Sequence, residues 1–140
     1  MTTREDVQAK VQRILANNFK VELGRDGNSF MLRLESTSVR VSVDENPLQA
    51  KDEDIWMVRV LAPILRDIEL SDELAREIAT SQKRFGSITW SDNIVSINHN
   101  LVGNTLDEHE LGLSVVFVGI VADQLDDEWQ SRFGGKRMAD

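Results

Sequence analysis

Two histidines, His99 and His109, are the side chains of this 140-residue sequence best suited to catalysis or metal binding. An imidazole titrates near neutral pH and ligates zinc, and Asp107, Glu108 and Glu110 supply carboxylates close by in the sequence. However, the two histidines are ten positions apart, whereas histidines that bind one zinc ion usually share an element at closer spacing. The carboxylates also have a simpler role, because acidic side chains stabilise the beginning of a helix. We therefore predict no metal site and no cofactor.

Nucleophilic catalysis has no signature in the sequence either. There is no cysteine and no Gly-x-Ser-x-Gly elbow, and Ser87, Ser91 and Ser96 fall in an ordinary hairpin pattern. The acidic segment 44–54 lacks the oxygen spacing and the glycine of a calcium loop, so we interpret it as a solvated loop. We predict that the protein is not an enzyme. The rival hypothesis is a small hydrolase or metal-dependent enzyme that uses His99 or His109.

Charge and hydropathy argue against two classes of partner. Lys and Arg number 16 and Asp and Glu 24, for a net charge of −8, so nucleic acid would mostly be repelled. The most apolar run, 111–122, is well short of the ~20 residues that cross a bilayer, and the N-terminus lacks the apolar core of a signal peptide. We expect a cytoplasmic protein without membrane contact.

An amphipathic helix begins the chain, followed by strands. Thr2 precedes Glu5 by the spacing of a capping box, and the helical pattern ends at Asn17 and Asn18. Its apolar face consists of Val7, Val11, Ile14 and Leu15. Three segments of alternating hydrophobicity, 19–23, 29–35 and 38–44, predict antiparallel strands with one buried face each.

The fourth predicted strand, 55–65, differs because both of its faces are apolar. Arg59 indicates that its parity, shared with Met57 and Leu61, is the outward one. Pro63 has no N–H to donate, so we expect the strand ladder to end there. A strand of this kind is covered on both sides or exposes one face to a partner.

A hairpin and two more helices complete the pattern. Asp92 and Asn93 suit a two-residue turn, which places Trp90 opposite Val95 in the core and leaves His99 at the rim. One helix is predicted from Ser71 to Phe85 and Gly86, and the last begins near Asp107 and ends at "RFGG". The apolar stripe of the last helix comprises Leu111, Val115, Val118, Ala122, Leu125 and Trp129.

The last helix carries more apolar residues than one stripe needs. Val116, Phe117 and Ile120 widen the surface, so we expect burial on more than one side. Gly112 and Gly119 share a flank where another backbone could approach closely.

These elements predict an α+β fold in which helices pack on an antiparallel sheet, in the order α-β-β-β-β-α-β-β-α. We expect a single domain over residues 1–135 and a frayed tail over 136–140. The outward side of the fourth strand, with neighbouring outward residues, is the predicted partner-binding or dimer interface. Its members are Met31, Met57, Arg59, Leu61 and Ile94.

Several phrases resemble the YbjN-like family of the type III secretion chaperone-like superfamily, which is common in actinobacteria. They are "VRVLAPILRDIELSDELAREI", "FGSITWSDNIVSINHNLVGNTLDEHEL" and "ADQLDDEWQSRFGG". The resemblance implies a secretion-chaperone-like α/β sandwich, often dimeric, that works by binding. Chaperones of this superfamily hold an extended client segment, and YbjN-like proteins are described as sensory-transduction regulators. The segment "ATSQKRFG" departs from the asparagine-bearing helix end expected there.

We therefore interpret the chain as a non-enzymatic chaperone-like or regulatory module that holds a partner protein or peptide on its sheet face. A homodimer without a client is the second rival, in which the apolar surplus is entirely self-interface.

Overall fold

The computed structural model describes residues 1–34, 37–81 and 86–140. Its helices are α1 (Arg4–Asn18), α2 (Asp72–Thr80) and α3 (Glu108–Phe133). Its strands are β1 (Val21–Leu23), β2 (Ser29–Leu34), β3 (Thr37–Val43), β4 (Leu48–Ala50), β5 (Glu53–Ile55), β6 (Met57–Arg66), β7 (Ser87–Ser91), β8 (Ile94–Val102) and β9 (Lys136–Arg137).

Seven strands form one antiparallel sheet in the order β1-β2-β3-β6-β8-β7, with β9 paired to the end of β6 beyond its pairing with β3. The order of the long elements agrees with the prediction, so the α+β class is confirmed. The acidic segment is not the plain loop that we expected, because β4 and β5 pair within it as a small hairpin.

The core lies between the helices and one face of the sheet. The apolar positions predicted for α1 and for the stripe of α3 are all buried, and they pack against inward residues such as Val41, Val60 and Ile97. We call the other face of the sheet the outer face. Among the described residues, no helix packs against it.

Helix boundaries follow from local hydrogen bonds. The capping box of α1 is one residue later than predicted: the Asp6 amide donates to Thr3 Oγ1 at 3.1 Å and the Thr3 amide to Asp6 Oδ2 at 2.9 Å. Ser71 caps α2 as predicted, by accepting from the Leu74 amide at 3.1 Å. However, α2 ends at Thr80 rather than near Gly86, and the predicted end at Phe85 lies outside the described residues.

Pro63 does not end β6, contrary to the expectation. The strand continues to Arg66 through an irregularity between Pro63 and Leu65, after which Leu65 pairs with Val95. A local bulge lets the chain pass a residue without an N–H donor and resume pairing. Both Ile64 and Leu65 are consequently buried.

The hairpin register is confirmed. Trp90 pairs with Val95, and the turn residues Asp92 and Asn93 have φ of 51° and 62°. Trp90 is only partly buried, so its assignment to the core was too strong. Its indole Nε1 donates to the Ile68 carbonyl at 2.8 Å, so the N–H of the partly buried ring has a hydrogen-bond partner within the protein.

The expected frayed tail is also wrong for two of its residues, because Lys136 and Arg137 form β9 on β6. The Arg137 guanidinium pairs with Asp127 at 2.7 Å and with Asp140 at 3.0 Å, so the segment is fastened to α3. Exposed pairs of this kind stabilise weakly, and the strand pairing is the firmer constraint.

The Trp129 side chain is only 1% exposed, so Trp129→Ala should lower the free energy of unfolding by about 3–5 kcal/mol. Urea unfolding of Trp129→Ala, followed by circular dichroism, measures this loss. Glu128→Ala is the control, because its side chain is 58% exposed and loses only a surface ion pair. Equal unfolding midpoints for the two variants would contradict the packing described for α3.

Candidate functional site

Strand β6 presents two different faces. Val58, Val60 and Ala62 are fully buried against the helices, whereas Arg59 is exposed and Leu61 partly exposed on the outer face. The outward parity predicted for Met57, Arg59 and Leu61 is confirmed. Period-two alternation of side chains makes this division sharp.

The register of the sheet aligns outward side chains from neighbouring strands. Met31 pairs with Arg40, Arg40 with Leu61, Leu61 with Asn98, and Asn98 with Ser87. Because directly paired residues point to the same face, these five side chains form one row across five strands of the outer face.

A groove of about 780 Å³ lies over this row. Four of the five predicted interface residues line it: Met31, Arg59, Leu61 and Ile94. Pro63 and Met138 add apolar surface, and serine, threonine and asparagine side chains of β7 and β8 line the rest. Met57 is not among the lining residues. It pairs with Val102 farther along the sheet.

A second cavity of about 810 Å³ adjoins this groove at the β1 edge and shares Met31, Ser38 and Arg40 with it. We call the two together the outer trough. Its cations are Lys20, Arg25, Arg33, Arg40 and Arg59, and its acids are Glu22 and Asp92. The trough is therefore locally basic on a chain whose net charge is −8.

The two arginines that line the groove, Arg40 and Arg59, differ in their partners. Arg40 Nη2 lies 3.3 Å from Asp26 Oδ2, and its Nε donates to Ser29 Oγ at 3.1 Å. The Asn28 amide, helped by Ser29 and Arg40, holds the pKa of Asp26 below its usual value. The Arg59 guanidinium forms no hydrogen bond or ion pair with any residue of the described ranges. Its charge remains available to a bound molecule.

Helix α3 exposes a second apolar surface, contrary to the expectation that it is buried on more than one side. Leu113, Val116, Phe117 and Ile120 are each 38–45% exposed, and we call them the α3 stripe. The stripe belongs to the opposite side of the sheet from the outer trough, because α3 packs on the inner face. Two shallow cavities border it, lined by Phe19 on one side and Leu34 on the other.

The two glycines of α3 have different surroundings. A Cβ on Gly119 would lie 3.0 Å from Leu34 Cδ1, so the predicted close approach occurs there, against a strand of the same chain. A Cβ on Gly112 would meet no atom within 4 Å. Gly112 therefore leaves open space beside Leu113.

His99 lies between the sheet and α3. Its Nδ1 is 2.8 Å from Ser114 Oγ, and Ser114 is fully buried. Burial lowers the pKa of His99, against a smaller opposing effect of Glu110. The buried Ser114 hydroxyl therefore joins α3 to the sheet, and a substrate cannot reach it. Ser114 interrupts the buried apolar face of α3, three residues after Leu111. This polar residue is the sequence signal for a buried partner such as His99.

His109 is an exposed residue in the first turn of α3 and is not brought together with His99 in a shared cavity. Within the described ranges, no three His, Cys, Asp or Glu side chains are arranged to hold a metal ion. No helix of those ranges is long and apolar enough to cross a membrane.

Comparison with known families gives one match. The family model TY-Chap1, described as "T3SS (YopN, CesT) and YbjN peptide-binding chaperone 1", matches residues 5–140. None of the curated proteins matches the chain. The match covers almost the whole chain and confirms the resemblance inferred from its phrases.

Replacing His99 by Gln should make stability less sensitive to acid. Because the folded pKa is lowered, the unfolded chain binds the proton first as pH falls below 6.5, and stability falls until the folded group also titrates. Urea midpoints at pH 7 and pH 5 should therefore differ more for the wild type than for His99→Gln. His109→Gln is the control, and an identical pH response in all three proteins would contradict the buried position of His99.

Proposed function

Because the chain belongs to the TY-Chap1 family of peptide-binding chaperones, we propose that it holds an extended segment of a partner protein in the outer trough. Met31, Arg59, Leu61 and Ile94 are the proposed contacts. Binding a segment in this way serves a chaperone or a regulator of the partner, and it needs no catalytic group. Met57, outside the groove, is left out of the proposal.

The observation that carries this proposal is the gathering of the four residues along one groove of the outer face. They come from β2, β6 and β8, which are far apart in the sequence. When a partner covers apolar surface that stays exposed to water after folding, the burial favours binding by roughly 25 cal/mol per Å². The hydroxyl and amide side chains around the groove can also hydrogen-bond the backbone of an extended peptide.

Placing a charge on the apolar floor of the groove tests the proposal. Leu61→Lys should weaken binding of peptides selected from a phage-displayed random library by at least about tenfold, because a Leu side chain contributes roughly 1.5–3 kcal/mol when covered. Fluorescence polarisation measures the affinity, and circular dichroism verifies the fold.

Met57→Lys is the matched control, since it also replaces an apolar side chain by lysine on the outward face of β6, but outside the groove. It should bind the selected peptides like the wild type. Peptides that bind Leu61→Lys and the wild type equally would contradict the proposed site.

A second role, homodimer formation, is favoured by the α3 stripe. Val116 and Phe117 lie midway between Leu113 and Ile120, so a second copy crossing antiparallel would place each Leu113 against an Ile120. A self-complementary patch of this kind suits a two-fold interface, and the bare Cα of Gly112 allows a close crossing. We propose this surface, rather than the outer face, as the dimer seam.

A charge within the stripe should separate the two copies. The wild type should have a light-scattering mass near twice 15.8 kDa, and Phe117→Glu a mass near 15.8 kDa, because the introduced carboxylate would be buried without a partner. Leu61→Lys is the control and should remain dimeric. A monomeric wild type, or a dimeric Phe117→Glu, would overturn the proposed seam.

A further inference from the structure

We propose that the outer trough selects acidic client segments, in which a carboxylate lies two residues from an apolar side chain. This inference rests on the proposed function, since it names the class of segment that the trough would hold. Three observations lead to it: the charge of the trough, the position of Arg59, and the spacing between Arg59 and Leu61.

The charge of the trough is opposite to that of the whole chain. Among the described residues, five cations and two acids line its two cavities, although the protein carries 24 acids and 16 cations. Acidic residues are therefore concentrated elsewhere, and a basic patch on an acidic protein favours partners of negative charge while the rest of the surface repels them.

Arg59 lies at one side of the trough, next to Leu61 along β6, and no ion pair joins its guanidinium to a described residue. It pairs across the sheet with Ser42 on one side and Asn100 on the other, both of them uncharged. Arg40 is engaged with Asp26 and Ser29, so Arg59 is the better anchor for a carboxylate. A planar guanidinium can bind both oxygens of a carboxylate at once.

The end of the sheet beyond Arg59 limits where acids of the client can lie. A smaller cavity of about 320 Å³ there is lined by the carboxylates of Asp26, Asp44 and Glu45 and by the guanidinium groups of Arg4, Arg40 and Arg59. Its charges balance, so this end attracts a second acid of the client less than the basic end of the trough does. The cations Lys20, Arg25 and Arg33 lie toward the β1 edge, so additional acids of the client would be favoured on that side.

The apolar partner of the anchor is Leu61, the next outward residue of β6 after Arg59. Outward residues two apart on a strand are separated by roughly 6.6–6.8 Å. An extended client has the same repeat, and its residues i and i+2 point to the same side. A client segment that lies parallel to β6, across the row of outward side chains, with a carboxylate on Arg59, therefore places an apolar side chain two residues away on Leu61.

Designed peptides test this spacing directly. The probe is a fluorescein-labelled peptide in which Glu and Leu occupy alternate positions separated by Thr. One control replaces Glu by Gln, and a second keeps the composition but makes Glu and Leu adjacent, so that they point to opposite sides. Polarisation titrations use the full chain as wild type, Arg59→Gln and Leu61→Gln, each verified as folded by circular dichroism; Gln removes the apolar contact of Leu61 without adding a charge.

We expect the probe to bind the wild type at least about tenfold more tightly than either control peptide, since hydrogen bonds to charged groups contribute more than neutral ones. Arg59→Gln should remove the preference for Glu over Gln and leave the binding of the Gln peptide unchanged. Equal affinity for the Glu and Gln peptides, with binding still weakened in Leu61→Gln, would overturn the acidic anchor but leave the proposed groove intact. Absence of binding by all three peptides, or binding unaffected by Leu61→Gln, would overturn both.

Discussion

The arrangement of helices on one face only of the sheet is the constraint on which the rest of the structure depends. The buried stripe of α3 packs on the inward side chains of β3, β6 and β8, and the apolar face of α1 packs on α3 and β3. The outer face then has to be compatible with water and yet carries Met31, Leu61, Pro63 and Ile94. Polar and basic neighbours make this combination tolerable for the isolated chain, and they also give the trough its chemistry.

The same constraint separates two surfaces that the sequence does not distinguish. Because the sheet lies between them, the outer trough and the α3 stripe can be occupied at the same time. Our proposal assigns one to a partner segment and the other to a second copy of the chain. A dimer joined through α3 would present two troughs on opposite outer sides, and a client long enough to reach both would gain affinity from the linkage.

Much of this arrangement could be predicted because β-strands alternate strictly. Arg59 alone was enough to orient β6, and the Asp92–Asn93 turn fixed the pairing of Trp90 with Val95. The placement of β8 between β6 and β7, which brings Ile94 into the same groove as Met31, depends on pairing between distant segments and could be only suggested. The periodicity of α3 was clear, but a helical pattern does not reveal whether the chain itself covers the second flank, so the exposure of Phe117 was missed. Pro63 was misjudged because a bulge, which depends on the neighbouring strands, carries the ladder past it.

The central claim is that a partner segment binds on the outer face of the sheet and does not contact the α3 stripe. Methyl NMR of the full chain, titrated with an unlabelled peptide selected from a random library, tests this claim most directly. The account predicts shifts at Met31, Leu61 and Ile94 that saturate together, with Leu113 and Ile120 unchanged. Shifts confined to Leu113, Val116 and Ile120 would contradict it, because the peptide would then occupy the helix and not the sheet.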